Sequence, residues 1–231
     1  MKLLALETST EACSVALWFD GEVRERFEIA PRRHAELTLP WAEQLLVDAG
    51  VAKSQLDAIA IGRGPGAFTG VRLAIAIGQG IALALDRPIV PVSTLAALAL
   101  QAPGPRVFAA IDARMGEVYA AAYELRDGDA VALDEERVAA PYTIQLPGDG
   151  DGWHGVGTGF AAQDDALASR LGARFVSIDG SALPHAADVA RLGALAFIRG
   201  EAVAPELAEP AYLRNNVALT IAEQQALRDS R

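Results

Sequence analysis

This sequence is short of the residues that most often hold metals or crosslinks. Its 231 residues include one cysteine, Cys13, and three histidines, His34, His154 and His185. A single thiol excludes a disulfide framework and a zinc site built on several thiolates. The histidines lie far apart and form no HxxxH pair, which excludes a helix-borne metal site of that kind. Positive charge is scarce too: 20 Lys+Arg stand against 30 Asp+Glu, a formal net charge of −10. Phosphate contacts supply most of the affinity for nucleic acid, so such a chain is a poor candidate for holding RNA or DNA alone. Only four apolar residues separate Met1-Lys2 from Glu7, too few for a signal-peptide core. The longest apolar run, Leu73 to Leu85, is interrupted by Gly78, Gln79 and Gly80. It falls short of the roughly 18 residues of a membrane span. The expectation is a soluble, cytoplasmic protein of a reducing compartment, with no membrane partner.

What is present describes a folded chain. A hydrophobic fraction of 52% with 22% charge rules out intrinsic disorder. At about 150 residues per domain the length allows one or two domains. Strands are expected at 2–7, 14–19 and 22–29, the last two joined by Asp20-Gly21, a strong hairpin signal. A helix at 36–48 stops at Gly50, with Pro40 marking either its start or a bend. A strand at 57–62, a helix at 68–85, a strand at 89–92 and a short helix at 94–101 follow. Ala102-Pro103-Gly104-Pro105 is the clearest linker.

After that linker the pattern begins again. Strand 107–111 with Asp112 mirrors strand 3–6 with Glu7. Strand 117–125 mirrors 14–19, Asp127-Gly128 mirrors Asp20-Gly21, and 131–139 is the third strand. The offset is about 105 to 107 positions, which indicates duplication of a whole subdomain. The second copy then degrades: a loop at 148–152, a short strand starting at 156, a helix at 160–171, a strand at 174–178 and a helix at 187–198. The expected subdomains are 1–102 and 107–214, with 215–231 a mobile tail. A duplicated βββαβα unit resembles the actin-like ATPase fold of sugar kinases, Hsp70 and actin, an α/β architecture with two halves facing a nucleotide cleft. Two unrelated α+β halves would also satisfy the pattern.

Several stretches could carry chemistry. The turn Glu7-Thr8-Ser9-Thr10 offers backbone N–H and hydroxyl donors for phosphate; an ordinary turn accounts for the same residues. Gly64-Pro65-Gly66 sets a tight loop before a helix, with Arg63 and Arg72 nearby, a placement that permits anion binding. It is not a P-loop, because no Lys-Ser or Lys-Thr follows its last glycine. Asp112 and Arg114 form either a cleft-lining pair or a structural salt bridge. Val156-Gly157-Thr158-Gly159 is a weak phosphate-turn signal. The helix 68–85 carries two stripes of small residues at spacing four: Gly70, Ala74, Gly78, Ala82, and Ala76, Gly80, Ala84. Glycine inside a helix costs about 1 kcal/mol relative to alanine, and close approach of a neighbour compensates it. One stripe is expected to face the protein's own sheet and one a partner. Leu37, Trp41 and Leu45 give the helix 36–48 an apolar face beside it.

Four motifs make a resemblance specific: Leu6-Glu7-Thr8-Ser9, Gly64-Pro65-Gly66-Ala67-Phe68-Thr69-Gly70-Val71-Arg72, Asp112-Ala113-Arg114-Met115-Gly116-Glu117-Val118-Tyr119 and Pro210-Ala211-Tyr212-Leu213-Arg214. Together they are similar to the TsaB (YeaZ) family, over residues 1 to about 214. That resemblance implies a subunit of the bacterial complex that forms N6-threonylcarbamoyladenosine at position 37 of ANN-decoding tRNAs. It implies a paralogue, TsaD, that does the transfer with a metal held by an HxxxH motif. Where those histidines would fall, this chain reads Ser93-Thr94-Leu95-Ala96-Ala97-Leu98, and where TsaD-like proteins carry adjacent acids it reads Glu11-Ala12. The implied role is therefore non-catalytic: to bind and activate TsaD and help recruit the ATPase TsaE, with tRNA met only through the complex. No metal site or cofactor of its own is implied; ATP and metal belong to the partners. The implied partner surface comprises Leu37, Trp41, Leu45, Phe68, Thr69, Gly70, Arg72, Ala74, Gly78 and Ala82, and a homodimer is implied when TsaD is absent. A vestigial nucleotide site would comprise Glu7, Thr8, Ser9, Thr10, Asp112 and Arg114. Protease activity is not expected, for want of metal ligands or a Ser/His/Asp set. The competing reading is an active small-molecule kinase or ATPase of the same fold.

Overall fold

The computed structural model describes residues 1–214; the expected tail, 215–231, lies outside them. The first sheet holds β1 (Lys2–Glu7), β2 (Ala12–Phe19), β3 (Glu22–Ile29), β4 (Ala58–Gly62) and β5 (Ile89–Val92), in the order β3-β2-β1-β4-β5. β1 to β3 form an antiparallel meander, while β1, β4 and β5 run parallel. Parallel strands are covered on both faces, which explains the unbroken apolar runs of β1 and β4. Alternation along β1 assigns the faces. Leu4 and Leu6 meet α1 (His34–Asp48) and α2 (Phe68–Leu85), and Leu3 and Ala5 meet the layer on the other side.

The second sheet holds β6 (Arg106–Arg114), β7 (Glu117–Arg126), β8 (Asp129–Ala132), β9 (Arg137–Ala139), β10 (Trp153–Val156) and β11 (Phe175–Asp179). Its order is β11-β10-β6-β7-β8, with β9 pairing β7 beyond β8. Between the two sheets lie α3 (Thr94–Ala99) and α5 (Ala186–Ile198), in one shared core with Val107, Ala109 and Ile111. The outer face of the second sheet carries Phe108 and Trp153, covered by Phe160 from the turn after β10, the six-residue α4 (Ala166–Leu171) and neighbouring turns.

α5 follows the second sheet in sequence yet docks on the first. Its start is bracketed by β2 and β3. Ser14 Oγ accepts from the Ala186 N–H at 2.9 Å and donates to Glu25 at 2.7 Å. Glu25 also accepts from the Ala187 N–H at 3.0 Å and holds His185 Nδ1 at 2.9 Å, while Phe27 stacks on the His185 ring.

Three expectations change. The third strand of the second copy is split into β8 and β9, because Asp134 turns in to accept the Ala122 N–H (2.6 Å) and pair with Arg137 (2.6 Å). The helix expected at 160–171 reduces to α4, after Gln163, Asp164 and Asp165 take left-handed backbone angles. β10 ends at Val156 rather than starting there. The helix expected at 68–85 is found at those bounds as α2, 18 residues unbroken by its glycines, and by length and composition alone it is apolar enough to cross a membrane. In this fold α2 is the crossover between parallel β4 and β5. α1 starts at His34 and carries Pro40 inside it.

Candidate functional site

A cleft of about 810 Å³ opens between the halves. Its walls come from the β1–β2 turn (Ser9, Thr10), the start of α2 (Phe68, Arg72), the β6–β7 hairpin (Asp112, Arg114) and the final described segment (Tyr212, Arg214). The glycines before α2 explain how the first two walls touch. A Cβ at Gly66 would sit 2.5 Å from the Ser9 carbonyl oxygen, and one at Gly70 would overlap that of Thr8. Without those atoms the Ala67 N–H donates to the Ser9 carbonyl at 2.7 Å, and Thr8 Oγ1 donates to the Gly70 carbonyl at 2.7 Å.

Glu7 faces away from the cleft. It is fully buried, accepts the Ser9 N–H at 2.7 Å and the Thr94 hydroxyl at 3.0 Å, and leaves no room for a side chain at Gly62. Burial pushes its pKa up, against the pull of those hydrogen bonds. Thr8 is buried beside it. These two candidate residues are thus the floor beneath the turn, because the strand end they occupy is sealed by β4 and α3. Ser9, Thr10, Asp112 and Arg114 do reach the cleft. Asp112 and Arg114 pair with each other at 2.9 Å on the hairpin tip, where Arg114 is 82% exposed. An ion pair that open contributes little to stability. Among the described residues no group of three or more His, Cys, Asp or Glu side chains converges on one point.

Other residues join the site that sequence reasoning did not assign to it. Arg72 lies 3.3 Å from the Phe68 ring centroid and 5.0 Å from that of Tyr212, and donates to the Tyr212 hydroxyl at 2.8 Å. The Ala211 N–H donates to the Arg63 carbonyl at 2.9 Å, and Arg214 donates to the Ala113 carbonyl (3.2 Å) and Glu117 (2.5 Å). The segment Pro210 to Arg214 therefore straps the first half to the second. Deeper between the halves, Glu136 accepts from Arg63 (3.2 Å), Tyr123 (3.4 Å) and Ser93. Burial raises the Tyr123 hydroxyl well above its ordinary pKa, with the Glu136 charge adding to it.

The helix surface needs a correction. Ala74, Gly78 and Ala82, assigned to a partner interface, are buried against the protein's own sheet. A Cβ at Gly78 would stand 2.6 Å from Ile61 Cγ2. Leu45 is buried as well, and Leu37 and Trp41 are half-buried. The outward stripe is the other one, Ala76, Gly80 and Ala84, all exposed, with nothing within 4 Å of a Cβ at Gly80. Leu83, 65% exposed, lies beside it, and at the start of α2 Phe68 is 63% exposed and Thr69 exposed. Between α1 and α2 runs an apolar groove of about 440 Å³, lined by Leu39, Pro40, Leu46, Ile81, Ala84 and Leu85.

Comparison with known proteins places this architecture. Residues 27–222 match the family model of TsaD, tRNA N6-adenosine threonylcarbamoyltransferase. Over nearly its whole length the chain is similar to smaller proteins. The tRNA threonylcarbamoyladenosine biosynthesis protein TsaB of Escherichia coli (strain K12) is 46% identical over 230 residues, 94% of this chain and 96% of the relative. TsaB of Haemophilus influenzae is 38% identical over 229 residues, covering 94% and 95%. The solved structure of YeaZ from Pseudomonas aeruginosa superposes with a TM-score of 0.84 at 48% identity, covering 92% of this chain and 99% of that one. With identity at this level spread over nearly the whole of both chains, this protein belongs to the TsaB (YeaZ) family and has its actin-like α/β fold.

Proposed function

We propose that this protein serves tRNA threonylcarbamoyladenosine biosynthesis as a non-catalytic subunit that docks on TsaD through α1 and α2. The observation that carries the reading is the state of α2. Apart from Arg72 and Gln79, the latter bound to the Pro205 and Ala208 carbonyls, the helix is apolar, yet only Val71, Ala74, Ile75, Gly78 and Ala82 are buried. A helix hydrophobic on every side is expected to be covered on every side, and a contiguous apolar surface marks an association site. Ala76, Gly80 and Ala84 would let a second helix approach closely. The full-length relatives supply the pathway, and the family model is that of a paralogue with similar helices. A surface that accepts a paralogue also suits a second copy, so a homodimer forms when TsaD is missing. The inward Glu7 supports the non-catalytic part of the reading. ATP, metal and the recruitment of TsaE belong to the assembled complex in the cytoplasm.

The test is co-elution with TsaD, followed by reconstitution of the tRNA modification with and without this chain. Gly80→Arg in the outward stripe is expected to abolish co-elution and reconstituted activity while leaving the thermal midpoint near that of the wild type. Normal co-elution of Gly80→Arg would sink the interface. Full modification without this chain would sink the role.

A further inference from the structure

The net charge of −10 is not evenly spread. The mouth of the inter-half cleft reverses it: Arg32, Arg72, Arg114 and Arg214 line it against Glu11 and Asp112. Arg114 and Arg214 are held by Asp112 and Glu117. Among the described residues no carboxylate lies within 4.0 Å of Arg32 or Arg72. Arg72 instead sits between two exposed rings, Phe68 at 63% and Tyr212 at 61%. Exposed aromatic rings beside arginines are the ingredients of a single-strand binding surface, because every base has a face to stack and every nucleotide a phosphate to neutralise.

We propose that this cleft mouth is a contact surface for single-stranded RNA, with Arg32 and Arg114 on the backbone and Phe68 and Tyr212 stacking against bases. The inference rests on the proposed role in tRNA modification and adds a direct RNA contact to it. Its strength follows from counting. Each phosphate neutralised on a single strand contributes a salt slope of about −0.7, and this mouth offers only a few. The site is weak in the isolated chain, in keeping with the overall charge. It gains effective concentration when a partner subunit holds the same RNA. The acidic balance thus limits affinity without removing the contact.

The experiment is fluorescence anisotropy of the full chain with a labelled oligouridylate of about 12 nucleotides, long enough to span such a site, over a range of salt. Saturable, salt-sensitive binding is expected. Arg32→Gln combined with Arg114→Gln is expected to weaken it about tenfold and to flatten the salt slope by about 1.4. Both side chains are exposed, and an unchanged thermal midpoint confirms folding. Lys53→Gln combined with Arg126→Gln changes the charge equally outside the cleft and is expected to leave binding intact. Three outcomes overturn the proposal: no binding by the wild type, an equal loss in the control pair, or full displacement by equimolar AMP, which would mark a mononucleotide site. Co-elution with TsaD involves no RNA, so failure of the complex and failure of the RNA contact are read separately.

Discussion

The two halves begin alike and are finished differently. Both open on a strand, a polar or charged strand end and an antiparallel meander. Even the hairpins agree: Asp20 and Gly21 stand at φ 52° and 86°, Asp127 and Gly128 at 52° and 80°, the left-handed pair that a tight two-residue hairpin requires. Beyond the meander they part. The first half covers its sheet with α1 and α2, 15 and 18 residues long, and leaves apolar surface outside them. The second uses α4, of six residues, and seals its outer face with Phe108, Trp153 and Phe160, all nearly inaccessible. A face closed by its own aromatic residues needs no partner to cover it. A face closed by long apolar helices still has their far side. The duplication has given one half a self-sufficient core and the other an unfinished one.

That contrast is broken most severely by emptying the second half. Phe160 meets Phe108 and Phe175 edge to face, at centroid distances of 6.4 and 5.2 Å, and its ring fills the space over Gly155. Phe160→Ala is expected to cost about 3–5 kcal/mol, measured by urea unfolding, with TsaD co-elution retained at temperatures where the variant stays folded. A loss below about 1 kcal/mol would mean the second half is held by its loops and not by this cluster.

The first half is next. Gly78→Leu drives a side chain into Ile61 and is expected to destabilise by about 3 kcal/mol through overpacking. Gly80→Leu, two residues on and facing outward into open space, is expected to cost no stability and to abolish co-elution. Equal stability losses at the two positions would erase the distinction between the stripes.

A smaller effect tests how α5 ties the halves together. The hydrogen bond that His185 donates to Glu25 raises the pKa of His185, against desolvation. Burial works to raise Glu25, but hydrogen bonds from His185, Ser14 and Ala187 outweigh it and hold its pKa low. The His185 contribution is complete below its ordinary value of 6.5 and is lost as pH rises through the raised one. The Glu25 contribution is present above 4.5 and is lost as pH falls through the lowered one. The pair therefore stabilises most between about pH 4.5 and 6.5, by about 1 kcal/mol at most for a partly exposed ion pair. His185→Asn is expected to lower the urea midpoint at about pH 5.5 and to change it little at about pH 8.5. A pH-independent loss would leave only the ring stack on Phe27.

These comparisons also show what was legible beforehand. The meander, the hairpins and the span of α2 follow from local pattern, because apolar periodicity and Asp-Gly turns act within a few residues. The split between β8 and β9 does not, since it depends on Asp134 reaching the backbone of a neighbouring strand. The docking of α5 on the first sheet and the strap from Arg63 to Ala211 join positions far apart in sequence, and no local signal marks them. At the cleft, Ser9, Thr10, Asp112 and Arg114 were recognisable as turn residues, but the inward aim of Glu7 is set by Ser9, Thr94 and the space at Gly62. The stripes of α2 defeat sequence reasoning for another reason. Both are made of glycine and alanine, and only the placement of β4 behind Gly78 separates them.

The mildest substitution is the sharpest test of that separation. Gly80 is in an ordinary helical conformation with open space where a Cβ would lie. Alanine there relieves the backbone entropy of a helical glycine and is expected to stabilise the isolated protein by about 1 kcal/mol. If no partner approached this face, the gain would carry no cost. If TsaD packs a helix against Gly80, the added methyl lies in the contact and affinity falls while stability rises. Thermal midpoint and TsaD affinity, measured on Gly80→Ala, are therefore expected to move in opposite directions. Stabilisation with unchanged affinity would mean that the glycine is not held there by a partner.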